Sequence, residues 1–508
     1  MHTDTLKKSL HAGNWAFINV VAQKVIMFGS FFALARLLTP LDFGIIAVIA
    51  IIPSFFDGIT SFSFDTAALQ RGNMERYLNV IWTFNLLRSL LIFIGIFFSA
   101  SWIATFYRIE AFESIVHLGG LALLIQSFAN IGQTYFFADM DFKKVFLRDM
   151  VTSISYAVIA LVIAWFTHSY LALFIAGIMS MLFVTLVSYA LHPYRPHLDF
   201  NFKLLGELRS FSQWIYAQSV VEQISIAVQN SVIGRSTSPA SLALFMKAKS
   251  LSDAPTAPIT SFIGKVSFSS YLRIQDSPSY LSEGIAKTVD LVATIALPYL
   301  VLILFAGHTL VLVVLGESWI GMTPLLQILV ISASLKALIN SLAPPIFNAI
   351  GKPKIQFLNS SVQALILAAG MLLFVPSFGA IGAAYAVFAS TAITAAVIFF
   401  QLHKHIHLNI PRIFSSVLVT VLASCAPLLI ARYGLTVPFF KTIFGFLILI
   451  LISGCVYVGG IVLIDRFFSK GPYKTLELVI RSLLHTSLKL HRFDHLFRYN
   501  DAIKNPEK

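Results

Sequence analysis

Charged side chains inside long apolar segments are the residues of this sequence best placed to do chemistry. An ionised side chain at the middle of a bilayer costs roughly 2.5–3.5 kcal/mol on insertion scales, so it requires a polar cavity or a partner of opposite charge. The basic residues of this kind are Lys24, Arg88, Lys247, Lys249 and Lys336, and the acidic ones are Asp57, Glu222, Asp253 and Asp290. They predict either ion pairs between helices or a hydrated cleft that attracts a charged ligand.

The residues alone leave two interpretations of these charges open. In the structural one, Lys24 pairs with Asp57, and the two lysines at 247 and 249 pair with Glu222 or Asp253. The functional one assigns four cations to an anionic head group and three acids to ion coupling or ion pairing. The cations are Lys24, Arg88, Lys247 and Lys249, and the acids are Asp57, Glu222 and Asp253. Because cations occur in both halves of the chain, a ligand between the halves could touch both sets.

Motifs for other chemistry are missing from the sequence. It contains no Gly-x-x-x-x-Gly-Lys-[Ser/Thr] loop, no His-Glu-x-x-His and no Cys-x-x-Cys. We therefore expect no catalytic residue, no metal site and no cofactor. Transport driven by an ion gradient or by the membrane potential is the activity that these residues allow.

The composition places the charges in a polytopic membrane protein. Of 508 residues, 57% are hydrophobic and 12% are charged, which is about half the charged fraction of soluble proteins. A helix crosses a bilayer with about 20 apolar residues, and open sheets are excluded from lipid. We predict an all-α membrane protein with about fourteen transmembrane helices. The predicted spans are 13–36, 43–63, 77–101, 115–137, 146–167, 169–190, 211–234, 241–264, 286–306, 322–346, 355–375, 379–400, 413–431 and 440–464.

The placement of basic residues predicts the orientation of these spans. Of the 36 lysines and arginines, 26 lie in one set of alternate loops and the C-terminal tail, and five lie in the other set. By the positive-inside rule both termini are cytoplasmic, so the net charge of +13 reflects orientation and not binding to nucleic acid. Trp102, Trp165 and Trp319 fall near the outer ends of spans, where tryptophan forms a membrane-interface belt.

A hairpin motif near the N-terminus has a counterpart in the second half. Arg36-x-x-x-Pro40 matches Arg235-x-x-x-Pro239, and Lys143-x-x-Phe146 matches Lys354-x-x-Phe357. The matches keep their order and spacing, so we predict two six-helix lobes related by a parallel repeat, followed by two more helices. The predicted boundaries are 1–200 for the N-terminal lobe, 201–405 for the C-terminal lobe, 406–465 for spans 13 and 14, and 466–508 for a basic amphipathic cytoplasmic tail. The tail pattern fits a helix on the inner leaflet as well as an ordinary solvated helix.

Eight short strings occur in order between about residues 10 and 400. They are Ala35–Gly44, Ala67–Arg71, Met140–Lys143, Tyr194–Pro196, Ile233–Arg235, Phe245–Leu251, Leu315–Trp319 and Ala349–Pro353. This series resembles the Wzx-type polysaccharide flippases of the multidrug/oligosaccharidyl-lipid/polysaccharide export superfamily. In this resemblance Lys247 falls where relatives usually carry a basic residue. Gln229 falls where relatives often carry an acid, so the resemblance gives no support to a coupling carboxylate there.

The resemblance implies transport of undecaprenyl-diphosphate-linked oligosaccharide from the inner to the outer leaflet, for synthesis of O-antigen, capsule or exopolysaccharide. It implies a location in the bacterial inner membrane and, as partners, the substrate, the lipid bilayer and polysaccharide polymerase and export machinery; we expect a monomer. A multidrug exporter of the same superfamily is one alternative, although a site for cationic drugs should favour acids. A membrane-embedded polymerase or ligase is another, but such enzymes generally present a sizeable outer loop bearing Arg and His.

Overall fold

The described part of the chain is built from helices. The computed structural model describes residues 2–61, 64–71, 74–208, 213–257, 260, 263–264, 267, 271, 278–349, 351–406, 411–412, 414–415, 417–424 and 442–468, and none of these residues lies in a β-strand. Within these ranges eight helices are long and apolar enough to cross a membrane, or nine when one bent pair counts as a single span. The prediction of an all-α, multi-pass membrane protein is confirmed. Of the predicted tail, 466–508, the residues from 469 onward lie outside the described part of the chain.

The helices fall into a first half, up to residue 208, and a second half, residues 213–406. The first half comprises α1 (His2–Leu37), α2 (Pro40–Thr60), α3 (Phe64–Arg71), α4 (Glu75–Tyr107), α5 (Glu113–Val116), α6 (Leu121–Ser127), α7 (Thr134–Ala138), α8 (Phe142–Thr167), α9 (Leu171–Leu191) and α10 (Lys203–Leu208). The second half comprises α11 (Gln213–Ser236), α12 (Pro239–Asp253), α13 (Pro278–Leu310), α14 (Met322–Ala349) and α15 (Pro353–Ile406), and α16 (Ile443–Phe468) follows it. A π-helical turn, Val311–Leu315, extends α13.

Helix α15 is too long for one span and folds back on itself. It contains 54 residues, and Gly379 has φ 59° and ψ −139°, a conformation that interrupts the helix and that side chains other than hydrogen disfavour. The side-chain amides of Asn359 and Gln401 exchange hydrogen bonds of 2.9 and 3.0 Å. Residues 42 positions apart can meet in this way only if the two arms run antiparallel. The two arms correspond to the predicted spans 355–375 and 379–400.

The predicted span 115–137 is a broken segment. Its two parts, Glu110–Ser127 and Ile131–Ala138, are bent by 62°. The buried Asn130 lies at the break, where its side chain accepts a hydrogen bond from the amide of Gly132 and caps the second part. Its amide nitrogen donates to the carbonyls of His192 (3.1 Å) and Tyr194 (2.7 Å). The break therefore also holds the extended segment that connects the two halves.

At two prolines of the second half, a tyrosine hydroxyl donates to the carbonyl that lies four residues before the proline. A proline has no N–H, so it leaves the carbonyl four residues earlier without its helical donor. Pro255 affects Leu251, whose carbonyl accepts a 2.7 Å hydrogen bond from the Tyr299 hydroxyl. Pro298, inside α13, affects Thr294 in the same way, and that carbonyl accepts a 2.8 Å hydrogen bond from Tyr457 of α16. Helix α16, predicted to lie outside the repeat, is thereby fastened to the second half.

Replacing Tyr299 with phenylalanine is expected to destabilise the protein by about 0.5–1.5 kcal/mol, because the Leu251 carbonyl loses its 2.7 Å hydrogen bond and keeps only the longer one, 3.3 Å, from the amide of Ala254. Thermal unfolding in detergent would measure the change. Tyr385→Phe is a matched control, since Tyr385 is exposed and its hydroxyl makes no hydrogen bond within the described residues. Equal melting temperatures for the two variants would show that the Tyr299 hydroxyl does not stabilise this break.

Candidate functional site

Two similar hairpins are the most regular local feature of the structure. In the first, Thr39 caps α2 and Pro40 occupies its first turn, with a capping box between Thr39 and Asp42. In the second, Ser238 caps α12 and Pro239 begins it. A hydroxyl cap followed by proline is a strong signal for a helix start. The prediction of a tight hairpin at each Arg-x-x-x-Pro motif agrees with these bounds.

The two hairpins contact each other directly. Gly44 of α2 lies so close to Pro239 that a methyl group in place of its hydrogen would collide with the Pro239 carbonyl oxygen. Beside this contact the Tyr107 hydroxyl and the Ser231 hydroxyl are 2.9 Å apart. We call the contact between Gly44 and Pro239, which joins the two halves, the hairpin seal. It is made by backbone against backbone, with no side chain between Gly44 and Pro239.

Contacts from the α13–α14 connection support the hairpin seal. The guanidinium of Arg36, at the end of α1, donates to the carbonyls of Val313 and Val314, the second over 3.0 Å. These carbonyls belong to the π-helical turn, whose wider winding alters the regular hydrogen-bond pattern of the helix. The indole of Trp319 donates to the carbonyl of Ala35 over 3.1 Å. The end of α1 is thus bound to the second half on two sides.

An aromatic cage lies directly behind the hairpin seal. Phe31 and Phe43 of the first half and Trp319 of the second contact one another edge to face, with ring centroids 5.3–5.7 Å apart. The ammonium of Lys247 lies 4.6 Å from the Phe31 centroid and 4.9 Å from the Phe43 centroid, within cation–π range. Trp319 is fully buried. Its predicted place in an interface belt is therefore wrong, whereas Trp102 and Trp165 are each 66% exposed, as a belt requires.

Lys249 lies one half-turn beyond Lys247 on α12. Its ammonium donates a 3.0 Å hydrogen bond to the side-chain oxygen of Gln229 on α11, and it interacts electrostatically with Lys336 and Asp253. Within the described residues no carboxylate lies within 4.0 Å of Lys247 or Lys249. The ion pairs that the structural interpretation expects with Glu222 or Asp253 are therefore not formed among the described residues, although Asp253 acts on Lys249 electrostatically. Glu222 is instead exposed and accepts a hydrogen bond from Gln218.

Asp57 pairs with Arg88 and not with Lys24. The Arg88 guanidinium donates to the Asp57 carboxylate over 2.8 Å and to the Thr60 hydroxyl over 3.3 Å. The Arg88 side chain is 12% exposed and that of Asp57 41%, so the pair lies at a partly solvated position. Lys24 is half-buried and makes no ion pair within the described residues. The expected pair between Lys24 and Asp57 is therefore absent there.

A cavity of about 540 Å³ lies within the second half. It separates α14 from the segment that continues beyond α12. Its polar lining residues are Asp253, Thr256, Thr260, Lys336, Asn340 and Asn348, and the remaining ones are glycine, alanine and proline. Pockets of this size bind small molecules in other proteins. The cavity begins at Asp253, one turn beyond Lys249, so the unpaired cations and the cavity are neighbours.

The family model described as "Polysaccharide biosynthesis protein" matches residues 33–324, more than half of the chain. The chain belongs to this family. The matched region begins in α1 and ends in α14, so it includes the hairpin seal, Phe43 and Trp319 of the aromatic cage, and both lysines of α12. The resemblance found in the sequence is confirmed at the level of the family.

Relatives and solved structures agree with this membership. The teichuronic acid biosynthesis protein TuaB of Bacillus subtilis is 22% identical over 66% of this chain and 70% of its own. The lipopolysaccharide biosynthesis protein WzxC of Escherichia coli is 19% identical over 66% of this chain and 68% of its own. The lipid II flippase MurJ, solved in an inward closed conformation, superposes with a TM-score of 0.69 and 15% identity over 89% of this chain and 99% of its own. The MurJ likeness identifies the fold.

In this member of the polysaccharide biosynthesis family, the structure groups the predicted site residues unequally. Lys247, Lys249 and Asp253 lie on one helix between the aromatic cage and the cavity. Arg88 and Asp57 form a separate pair in the first half. No group of three or more His, Cys, Asp and Glu side chains in the described ranges is arranged to hold a metal ion. The four predicted cations are therefore not one cluster in this conformation.

A carboxylate that sequence reasoning passed over lies in the first half of this family member. Asp149 of α8 accepts hydrogen bonds from Asn19 (2.7 Å) and Gln23 (2.8 Å) of α1, and it pairs with Arg148 over 2.6 Å. Its charge is thus neutralised and fully hydrogen-bonded, which indicates a contact between α1 and α8 and not a free coupling site. The signal in the sequence was the i, i+4 spacing of Asn19 and Gln23 on one helix face.

Proposed function

We propose that this protein is a flippase that carries polyprenyl-diphosphate-linked oligosaccharide from the inner to the outer leaflet of the bacterial plasma membrane, for the synthesis of a surface polysaccharide. The observation that carries the proposal is the position of Lys247 and Lys249, two cations without a carboxylate partner in the described structure, where the two halves meet. Membership of the polysaccharide biosynthesis family, the similarity to the biosynthesis proteins TuaB and WzxC, and the fold shared with the lipid II flippase MurJ support it.

Charge and membrane potential favour this substrate. A diphosphate carries about two negative charges, and moving each one outward along an inside-negative potential gains roughly 2.3 kcal/mol per 100 mV. With both termini in the cytoplasm, as the positive-inside rule indicates, the hairpin seal lies at the outer end. The present conformation would then be closed toward the outside. The protein acts as a monomer and makes or breaks no covalent bond.

We assign the diphosphate contacts to Lys24, Arg88, Lys247 and Lys249. Lys247 leaves the aromatic cage when the seal opens, and a phosphate oxygen replaces the ring faces. Arg88 exchanges the carboxylate of Asp57 for phosphate, which offers the same bidentate geometry. Asp57, Glu222 and Asp253 are the acids available for coupling to an ion. The lipid tail stays in the bilayer, and the sugar chain occupies the hydrated space between the halves.

Transport of a fluorescent lipid-linked oligosaccharide in proteoliposomes tests the proposal. Wild-type protein is expected to transport this substrate, and an inside-negative potential is expected to accelerate that transport. Replacing Lys24, Arg88, Lys247 and Lys249 together with alanine is expected to abolish it. Lys287→Ala is the control, because Lys287 makes only an exposed i, i+4 pair with Glu283, which is worth little.

Two results would contradict the proposal. One is a quadruple variant that transports the lipid-linked oligosaccharide at the wild-type rate. The other is a wild-type protein that ignores this substrate but moves cationic dyes, which would identify a drug exporter. In that case we would expect replacement of acidic residues, and not of the lysines, to change the rate of dye transport.

A further inference from the structure

The polar side chains of the 540 Å³ cavity form two facing stripes. On α14, Lys336, Asn340 and Asn348 are spaced by four and eight residues, so they lie along one helix face. On the opposite wall, Asp253, Thr256 and Thr260 are spaced by three and four. Between the stripes the lining is small or proline, so the polar groups are not covered by bulky side chains.

The stripes offer donors and acceptors to a ligand with many hydroxyl groups. The hydroxyl of Thr256 donates to the Asp253 carbonyl over 3.3 Å and that of Thr260 to the Thr256 carbonyl over 2.8 Å, which leaves their oxygen lone pairs as acceptors. The amides of Asn340 and Asn348 are exposed and make no hydrogen bond with another described residue. Pro344 lacks the N–H that would bond the Asn340 carbonyl, so that oxygen is a further acceptor.

The charges around the cavity favour a negative group on that ligand. Lys336 lines the cavity, and Lys249 lies close enough to interact with it. Asp253 is the acidic lining residue, and it offsets one of the two lysines. The surplus of one positive charge lies on the α14 wall, beside the amide of Asn340.

We infer that this cavity is the sugar subsite of the flippase and that Lys336 selects a sugar residue bearing a carboxylate. The inference rests on the proposed function. Lys249 and Asp253 are four residues apart, about 6 Å along a helix, so a diphosphate held at Lys249 places the first sugars at the mouth of the cavity. The same positive charge could serve the diphosphate itself, and the test below separates the two sources.

Two polyprenyl-diphosphate-linked oligosaccharides provide the test. One contains a hexuronic acid, and the other is its carboxyl-reduced twin with the same diphosphate. Wild-type protein in proteoliposomes is expected to transport the acidic substrate with about tenfold higher efficiency, the effect of one charge-assisted hydrogen bond. Lys336→Gln is expected to remove that preference, and Asn340→Ala to slow both substrates. Ser341→Ala is the control, because the buried Ser341 hydroxyl is bonded to the Ala337 carbonyl of its own helix.

Each other outcome has a distinct meaning. If Lys336→Gln slows both substrates equally, Lys336 serves the diphosphate, and the selection of an acidic sugar is refuted. If the wild-type protein moves both substrates without preference and none of the cavity variants changes the rate, the sugar subsite is refuted while the flippase function stands. If the wild-type protein moves neither substrate, the proposed function itself has failed.

Discussion

Replacing Gly44 with alanine is expected to lower transport by about 5- to 150-fold, which corresponds to an overpacking cost of roughly 1–3 kcal/mol in the sealed conformation. The added methyl group would collide with the Pro239 carbonyl and with the amide of Ala240, and both are backbone atoms at the start of a helix. A side chain could rotate away, but these atoms can separate only if the two halves move apart. The added methyl group therefore raises the free energy of the sealed conformation, and the transport cycle loses the state that is closed at the hairpin seal.

Cysteine accessibility would measure this loss of closure. In a background without Cys425 and Cys455, a cysteine in place of Ala243, which is buried one turn beyond Pro239 in α12, should react slowly with a membrane-impermeant maleimide in the sealed protein and faster after Gly44→Ala. Gly95→Ala is the matched control, because a methyl group there would meet no atom within 4 Å. Unchanged reactivity together with wild-type transport in the Gly44→Ala protein would show that the backbone contact does not control closure.

Replacing Lys247 with methionine is expected to reduce transport by about 10- to 150-fold, the loss of one charge-assisted contact to phosphate. The hairpin seal should nevertheless remain closed. Methionine fills the space between Phe31 and Phe43 and gains a sulfur–aromatic contact of about 0.3–1.5 kcal/mol in place of the cation–π interaction. The variant is therefore expected to keep the position-243 cysteine unreactive while transport falls, whereas Gly44→Ala is expected to make that cysteine reactive.

Lys247→Arg separates charge from shape at the same position. It keeps the positive charge, stacks well on aromatic rings and binds phosphate with two parallel hydrogen bonds. Transport should therefore persist in this variant. A Lys247→Met protein whose position-243 cysteine becomes as reactive as in Gly44→Ala would mean that the lysine only holds the seal together and has no part in binding the diphosphate.

The local features of this fold could be predicted from the sequence because a membrane helix satisfies its own backbone. The starts of α2 and α12 at Pro40 and Pro239 and the reversal near Gly379 follow from residues within one turn of each position. The repeat that would relate the two halves remains a prediction. The helix break beyond Asp253 likewise follows from Pro255, whereas the break at Asn130 depends on Tyr194, a partner 64 residues away.

The site could be predicted only as a set of charges, because spacing does not show which distant residues meet. Trp319 looks like an interface residue in the sequence, yet 276 positions separate it from Phe43, whose ring it contacts. Asp57 has two lysine or arginine candidates in neighbouring spans, and only the fold shows that Arg88 is its partner. The polar stripe of the cavity on α14 could have been predicted from the sequence, since Asn340 and Asn348 follow Lys336 at multiples of four residues.

A seal made of backbone also has a consequence for ion leak. Side-chain plugs open whenever a rotamer changes, on a timescale of picoseconds to nanoseconds, whereas packed helices separate only in collective motions of microseconds to milliseconds. Gly44 against Pro239 places no rotatable group at this contact. Short-lived openings that would let protons and small ions pass are therefore not expected at this contact. A transporter with lysines and amides in its interior can in this way avoid an ion leak between turnovers.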